Sequence, residues 1–320
     1  MSWRAALPRV GVGETSDLPV AALAAHLASA GERVAALEAY RELLLASPDD
    51  VDALGALGAL LGRLGRDEEG FAIRKRIAVI VVARMGLALE DRSAALAFEL
   101  AIAGIGPVPP EMPAGYTAAL FDAYAPRFDD CLRNDLRYRA PELLVAGLRR
   151  ALPPTDNGAP GTLDICDVGC GTGLLGPLLR PLARRLDGVD RSPRMLEKAS
   201  ALELYDDLVE ADLTATLASR PGAYDVVTAA DVLVYIGDLA PALAAAATAL
   251  RSGGLAVFTV ERTDEAGYHL TATGRYEHAP AFVRDVAAAA GLTEVSADEV
   301  VLRVEQARPV AGLVWVLRKD

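Results

Sequence analysis

The residues with the clearest chemical potential form a glycine-rich turn, Asp167-Val168-Gly169-Cys170-Gly171-Thr172-Gly173. Glycine lets the backbone turn tightly and approach a ligand without an intervening side chain. The helix predicted next, from Leu174 to Leu182, would point its first backbone N–H groups at an anion. A dinucleotide fingerprint requires glycine at the first, third and sixth positions, and the sixth here is Leu174. The turn therefore predicts a ligand site, but the dinucleotide fingerprint is not met.

Carboxylates follow the later predicted strands in the same way. Asp190 ends the second strand, where an acid can accept hydrogen bonds from both hydroxyls of a ribose. Asp212 follows the third strand and Asp231 the fourth. Taken singly, each acid is better explained as a helix N-cap or a solvated loop carboxylate. Their recurrence after successive strands favours a shared binding edge.

The segment from Glu261 to Ala281 is the candidate pocket for the substrate and the candidate site of a general base. It lies between the fifth and sixth predicted strands, so it overhangs the strand ends at which ligands bind in open α/β sheets. Either histidine is a candidate base, with a tyrosine to position the acceptor. The alternative is a surface loop whose polar groups face water. The segment contains Tyr268, His269, Arg275, Tyr276, Glu277 and His278.

Short apolar runs that alternate with helical stretches from residue 162 onward position these groups. Alternation of this kind predicts parallel strands with helical crossovers, and the last two runs leave no room for a helix, so they predict an antiparallel edge. We therefore predict a seven-stranded doubly wound α/β sheet. Its strands are Leu163 to Val168, Leu186 to Asp190, Leu208 to Ala211, Asp225 to Ala229, Leu255 to Val260, Val295 to Val304 and Leu313 to Leu317.

The N-terminal third predicts helices instead. Apolar residues recur at helical spacing over residues 19–105, and a proline- and glycine-rich linker follows at 104–110. Further helices are predicted near 116–128 and from Pro141 to Ala151, followed by a turn at 153–158. The predicted domains are a helical domain, 1–112, and an α/β domain, 113–320, in which 113–155 form cap helices and 162–320 the core.

Composition excludes several classes of protein. The formal net charge of −12 and the scattered arginines argue against a nucleic-acid or anionic membrane surface. The longest strongly apolar run, 77–83, is too short to span a bilayer, and the first residues do not form a convincing signal peptide. Three cysteines without a Cys/His cluster predict neither disulfides nor a metal site. A cytoplasmic protein is expected.

Together these motifs resemble class I S-adenosylmethionine-dependent methyltransferases, which have a Rossmann-like fold. The glycines at the first, third and fifth positions, the later acids, Tyr224-Asp225-Val226-Val227 and Gly253-Gly254 occur in family order. The resemblance implies the cofactor S-adenosylmethionine and the product S-adenosylhomocysteine. It implies that Asp212 accepts from the adenine amine, that the Leu213 amide meets the ring and that Asp231 contacts the methionine end. The remaining implied cofactor contacts are Asp167, Gly169, Gly171, Gly173, Asp190 and Arg191.

The helical domain resembles the tetratricopeptide repeat (TPR), with Leu23, Ala36, Tyr40 and Pro48 at consensus positions. An ordinary helical bundle is the alternative. The stretches 120–129, 230–239 and 274–278 look like a group of predicted bacterial TPR-containing methyltransferases. That resemblance implies a cap helix, with Tyr124 and Phe128 as cofactor contacts.

The expected function is methyl transfer to oxygen or nitrogen of a small molecule, with His278, His269 and Tyr276 as catalytic candidates. One alternative keeps the cofactor but performs decarboxylase- or cyclase-like chemistry. Another is a scaffold whose repeats bind a partner while the cofactor domain regulates. Solenoid repeats usually need about three units to bury a continuous core. Because this chain shows barely two, a protein partner or self-association through the helical domain is also expected.

Overall fold

The structure, a computed structural model, describes residues 3–10, 18–132, 136–152, 161–305 and 308–320. The chain divides into two compact units, Met1–Gly106 and Pro107–Asp320. The predicted boundary at residue 112 lies a few residues later than this division. The predicted turn at 153–158 lies outside the described residues. Along the described residues, no helix is long and apolar enough to cross a membrane.

In the first unit, all the elements that the structure describes are helices. It opens with a 3₁₀ helix, Trp3–Val10, and its core gathers Leu7, Leu23, Leu27 and other buried apolar side chains. The second α-helix ends before residues 47–50, and Asp50 caps the next helix by accepting from the Ala53 N–H at 2.9 Å. The helices are α1 (Val20–Ser29), α2 (Arg33–Ala46), α3 (Val51–Arg63), α4 (Asp67–Arg84) and α5 (Leu89–Ile102).

Successive helices of this unit pack on each other. Helices α3 and α4 approach closely at two glycines, because a Cβ on Gly70 would lie 3.6 Å from the Gly58 carbonyl oxygen. A Cβ on Gly58 would lie 3.2 Å from Ile73 Cγ2, so this glycine permits the close approach of the two helices. The TPR character of the unit stays a prediction.

The second unit is built on one mixed sheet, which has nine strands in the described residues. The order β3-β2-β1-β4-β5 is parallel, and β9 then pairs antiparallel with both β5 and β8. The strands are β1 (Leu163–Val168), β2 (Ala183–Asp190), β3 (Asp207–Glu210), β4 (Tyr224–Ala229), β5 (Leu250–Arg262), β6 (Tyr268–Leu270), β7 (Tyr276–His278), β8 (Leu292–Glu305) and β9 (Arg308–Lys319).

The prediction of seven strands therefore missed two of the nine strands. All seven predicted strands are present, but the segment from Glu261 to Ala281 adds β6 and β7. These three-residue strands pair antiparallel with each other, and β7 pairs with the end of β5 at Glu261 and Arg262. Such short polar strands lack the apolar run from which the others were recognised.

Helices cover both faces of the sheet, as expected for a doubly wound fold. Alternate residues of each strand face opposite layers, so that Val226 packs towards one apolar cluster and Val227 towards the other. One layer contains α8 (Ala140–Ala151) and α9 (Gly176–Leu179). The other contains α11 (Leu213–Ala218), α12 (Ala240–Ala249) and α13 (Pro280–Ala289).

Two predicted helices differ from the structure. The helix after the glycine turn was predicted from Leu174 to Leu182 but is only α9, bounded by turns. Helix α8 was assigned to the cap, yet Leu144 and Leu148 pack into the core with Val316. The capping region is formed by α6 (Ala114–Tyr124) and the single turn α7 (Phe128–Asp130), while α10 (Pro193–Ser200) follows β2.

Candidate functional site

The glycine turn ends β1 in a backbone conformation that requires glycine. Gly169, Gly171 and Gly173 have φ angles of 64°, 55° and 84°. A Cβ on Gly169 would lie 2.3 Å from Val232 Cγ2, so the turn presses against the loop after β4. A Cβ on Gly171 would meet only the Phe128 ring, at 3.8 Å. The backbone at Gly171 therefore borders a space that Phe128 limits on the far side.

Asp190 lies at the end of β2 beside this turn. Its Oδ2 accepts from the Gly171 N–H at 2.9 Å and its Oδ1 from the Ser192 N–H at 2.8 Å. The Arg191 backbone N–H is a third donor to this carboxylate, which has about four acceptor sites and so can accept one further hydrogen bond. Burial raises the pKa of Asp190 despite these bonds. The residue both fixes the glycine turn and retains acceptor capacity.

Asp212, Leu213 and Arg191 form the neighbouring part of the site. Asp212 caps α11, since its Oδ1 accepts from the Ala215 N–H at 2.7 Å, and its Oδ2 pairs with the Arg191 guanidinium. Leu213 is the first residue of α11. Arg191 also lies 3.9 Å from a Glu111 carboxylate oxygen. Asp212 can therefore serve as the N-cap of α11 and also be a candidate ligand contact.

Asp167, the acid that opens the motif, turns its carboxylate into the protein rather than towards the turn. Its oxygens accept from the Tyr205 hydroxyl at 2.8 Å and from Thr228 Oγ1 at 3.0 Å. Burial raises the pKa of Asp167 to about 7. The contacts favour a supporting role for this side chain beneath the turn.

Two aspartates, to which the sequence assigned no role, join the capping region to the glycine turn and to the loop after β2. Asp129 accepts from Thr172 Oγ1 at 2.6 Å, and Asp122 accepts from Ser192 Oγ at 2.5 Å. The Phe128 ring makes an edge-on contact with the Phe121 ring, with 6.2 Å between their centroids. Tyr124 is more exposed, and its ring stacks under the Arg127 guanidinium. Phe128 therefore faces the turn more directly than Tyr124 does.

Asp231 belongs to a cluster of charged side chains that the sequence did not predict. Arg303 of β8 is fully buried, and its Nη1 lies 3.2 and 3.1 Å from the two carboxylate oxygens of Asp231. Its other nitrogens donate to Glu261 and Glu305. Arg275 pairs with Glu305. The Arg303 cluster, defined as Asp231, Glu261, Arg275, Arg303 and Glu305, thus holds three carboxylates and two guanidinium groups.

The Arg303 cluster lies at the carboxyl ends of β4 and β5. Burial raises the pKa of Glu261, although the Arg303 charge opposes that shift. Tyr235, next to this cluster, contacts Phe121 edge-on at 5.3 Å. An aromatic wall of Phe128, Phe121 and Tyr235 therefore runs from the glycine turn to the cluster. The sequence does show charged residues such as Glu261 and Arg303 in or next to predicted strands, which could have indicated this cluster. Nothing in the sequence indicated that these residues pair with each other.

The two candidate histidines have different environments in the structure. His278 is fully buried on β7, and its Nε2 donates to the carbonyl oxygens of Ile236 at 2.9 Å and Gly237 at 3.2 Å. Its Nδ1 is buried and finds no hydrogen-bond partner among the described residues. Burial lowers the pKa of His278 to about 4. His269 lies partly exposed on β6, with Nε2 3.1 Å from the Ala266 carbonyl oxygen. These contacts favour a structural role for His278.

Tyr276 joins the site to the segment 109–112, here called the strap. Its hydroxyl donates to the Pro109 carbonyl oxygen at 2.8 Å. The Pro110 carbonyl accepts from the N–H groups of Gly237 at 2.7 Å and Asp238 at 2.9 Å, and the Met112 N–H donates to Tyr235. The strap therefore packs on the loop after β4. At one end it contacts Tyr276 of β7, and Glu111 of the strap lies near Arg191.

A glycine turn after β1, an acid after β2 and a capping region over the turn define a Rossmann-like cofactor-binding domain. Residues 166–258, from β1 into β5, match the family model described as a methyltransferase domain. This segment is therefore similar in sequence to methyltransferase domains.

Curated relatives match about a third of the chain. Human methyltransferase-like protein 27 is 44% identical over 109 residues, which are 33% of this chain and 42% of that protein. The ubiquinone biosynthesis O-methyltransferase of Thiobacillus denitrificans is 32% identical over 117 residues, 34% of this chain and 49% of the relative. The chain thus spans less than half the length of each of these two relatives.

Solved structures share the fold over about two thirds of the chain. One is the Burkholderia thailandensis 1,6-didemethyltoxoflavin-N1-methyltransferase, with 18% identity and a TM-score of 0.51 over 67% of this chain and 93% of that one. Another is a SAM-dependent methyltransferase from Leishmania major, with 16% identity and a TM-score of 0.52 over 66% and 85% of the two chains.

Proposed function

We propose that this chain binds S-adenosylmethionine at the glycine turn and transfers its methyl group to oxygen or nitrogen of a small molecule. The observation that carries the proposal is the arrangement around Asp190. This acid accepts from the Gly171 amide, retains acceptor capacity and lies beside Gly171, where an added Cβ would meet only the Phe128 ring. The methyltransferase-domain match over the same residues supports it.

The residues present fit this cofactor. Asp190 would accept from the ribose hydroxyls, with Arg191 beside it. Asp212 and the Leu213 amide would meet the adenine. The backbone of Gly169, Gly171 and Gly173 would approach the ligand where a Cβ on Gly171 meets only Phe128.

The cofactor supplies an activated methyl group on a positively charged sulfur. The chain's own residues then have two tasks, which are to align the acceptor and to exclude water. Alignment of reactants contributes roughly 7 to 11 kcal/mol at its upper end. The capping residues Asp122 and Asp129, bonded to Ser192 and Thr172, would hold Phe128 over the turn and limit access of water.

The Arg303 cluster favours an acceptor without negative charge. Within the described residues of this cluster, both guanidinium groups already pair with carboxylates, and the cluster carries one more carboxylate than guanidinium. An anionic acceptor would meet this surplus of negative charge, whereas an amine or hydroxyl could donate to it. His278, His269 and Tyr276 stay candidate catalytic residues, and a base is needed only if the acceptor must lose a proton.

Incubation of the protein with methyl-labelled S-adenosylmethionine and a metabolite extract tests the function. We expect label in small molecules, together with S-adenosylhomocysteine. The matched control is Asp190→Ala, which should weaken cofactor binding by about 2 to 3 kcal/mol because two hydrogen bonds are lost. Cofactor binding without label transfer would favour the non-methylating alternative or the regulated scaffold. Failure to bind the cofactor would refute the proposal.

A further inference from the structure

Arg303 is a fully buried arginine in the second half of β8, far along the sequence from the glycine turn. Its guanidinium contacts three carboxylates at once, those of Asp231, Glu261 and Glu305. Only the contact with Asp231 leads to the loop after β4. The planar guanidinium fork can hold several acceptors in fixed directions, whereas an ammonium group is a point charge.

Asp231 has a backbone conformation that needs outside support. Its φ angle is 59°, in the left-handed region that aspartate tolerates less well than glycine. The Asp231 N–H donates to Thr259 Oγ1 at 2.8 Å, and Arg303 holds the carboxylate from the other side. Strained residues of this kind persist only where the surroundings hold them.

The residue after Asp231 touches the glycine turn. A Cβ on Gly169 would lie 2.3 Å from Val232 Cγ2, so no gap separates this loop from the turn. A change in the conformation of Asp231 would therefore move Val232 against, or away from, the backbone that is to receive the cofactor. The physical connection runs from Arg303 to Asp231 to Val232 to Gly169.

We propose that Arg303 is a positioning residue for the cofactor site and that it acts through Asp231 on the shape of the glycine turn. The inference rests on the proposed function. A buried ion cluster contributes little stability compared with apolar residues of similar volume, so folding alone does not explain its presence at the strand ends where ligands bind. Arg303 therefore affects cofactor affinity through residue 231.

Calorimetric titration of the full chain with S-adenosylhomocysteine tests this inference. We expect Arg303→Met to raise the Kd about tenfold or more and Asp231→Asn to raise it by a similar factor. The double variant should be little weaker than the weaker-binding single variant, because residues that act as one unit are not additive. Arg303→Lys should be intermediate, since it keeps the charge and loses the fork. Arg284→Met is the control, because Arg284 of α13 pairs at the surface with Glu294, which lies on β8 as Arg303 does.

The outcomes are distinct. Multiplicative effects of the two single changes, or an unchanged Kd in Arg303→Met with a folded protein, would overturn the inference and leave the proposed function intact. If Arg303→Met does not fold, Arg303→Lys and Asp231→Asn decide by the same comparison with their double variant. If the wild-type chain does not bind S-adenosylhomocysteine, the proposed function fails and this inference with it.

Discussion

Asp167 and His278 are two buried residues whose neutral forms are favoured by burial. Burial raises the pKa of Asp167 to about 7 and lowers that of His278 to about 4. The two residues therefore act in opposite directions on stability as the pH changes. Each effect is isolated by comparing the wild-type chain with one neutral variant.

Asp167→Asn should gain stability relative to the wild type as the pH rises. The unfolded carboxyl titrates near pH 4 and the folded one near 7, so ionisation of Asp167 disfavours folding progressively between these values and fully above them. The shift corresponds to about 4 kcal/mol at most. Urea unfolding at pH 5 and pH 8 measures the change in the difference between the two proteins.

The control for this measurement is Asp164→Asn, three residues earlier on β1. The Arg184 side chain, hydrogen-bonded to Asp164, lowers the pKa of Asp164, so this carboxylate stays ionised from pH 5 to 8. Its variant should differ from the wild type by a constant amount over that range. A constant difference for Asp167→Asn as well would contradict the prediction.

His278→Gln should lose less stability than the wild type in acid. Because the folded pKa lies below the unfolded value near 6.5, the contribution of neutral His278 is complete above pH 6.5 and is lost as the pH falls towards 4. The wild-type advantage should shrink by up to about 3 kcal/mol across this window. Thermal unfolding at pH 7 and pH 5 measures it.

If His278 is instead the base, His278→Gln should lower kcat about 10²-fold or more at unchanged cofactor affinity.

At the scale of elements, the capping region is held by side-chain hydrogen bonds to the cofactor loops. Asp129→Ala and Thr172→Val remove the same bond from its two ends, so each should raise the Kd for S-adenosylhomocysteine about 5- to 10-fold, as expected for a net loss of about 1 to 1.5 kcal/mol. Asp130→Ala is the matched control, because the Asp130 side chain is exposed. Equal affinities in all four proteins would show that the cap does not contribute to binding.

The strap offers a second test among the elements. Tyr276→Phe removes the hydroxyl that donates to Pro109, so we expect a loss of about 0.5 to 1.5 kcal/mol in unfolding free energy. A large fall in kcat with unchanged stability would instead assign Tyr276 to catalysis. Comparison of urea unfolding with single-turnover rates separates these two results.

The sequence was sufficient for elements that carry long apolar runs. Strand β1 has the predicted bounds, and the other six predicted strands differ only in their ends. The hairpin β6–β7 was missed because its strands have three residues each and owe their conformation to pairing with each other and with β5. Arg303 was missed because an arginine in a strand usually faces water, and its burial depends on carboxylates that lie far away in sequence.

At the scale of the molecule, every proposed cofactor contact lies in the second unit, Pro107–Asp320. A chain of residues 107–320 should therefore bind S-adenosylhomocysteine within about twofold of the full protein, since it retains the strap, the capping region and the sheet. Calorimetry on both proteins measures this. Loss of affinity in a folded fragment would show that the helical unit contributes to the site.

The position of β9 within the sheet has a consequence for synthesis. This strand follows all the others in sequence, yet it lies between β5 and β8 and pairs with both. During synthesis β8 therefore leaves the ribosome before β9, the strand that joins it to the sheet. Arg303 cannot contact Asp231 until β9 has paired with β5. Such late, non-local pairing slows folding. Cofactor affinity should consequently appear last during folding, after the glycine turn has already been translated.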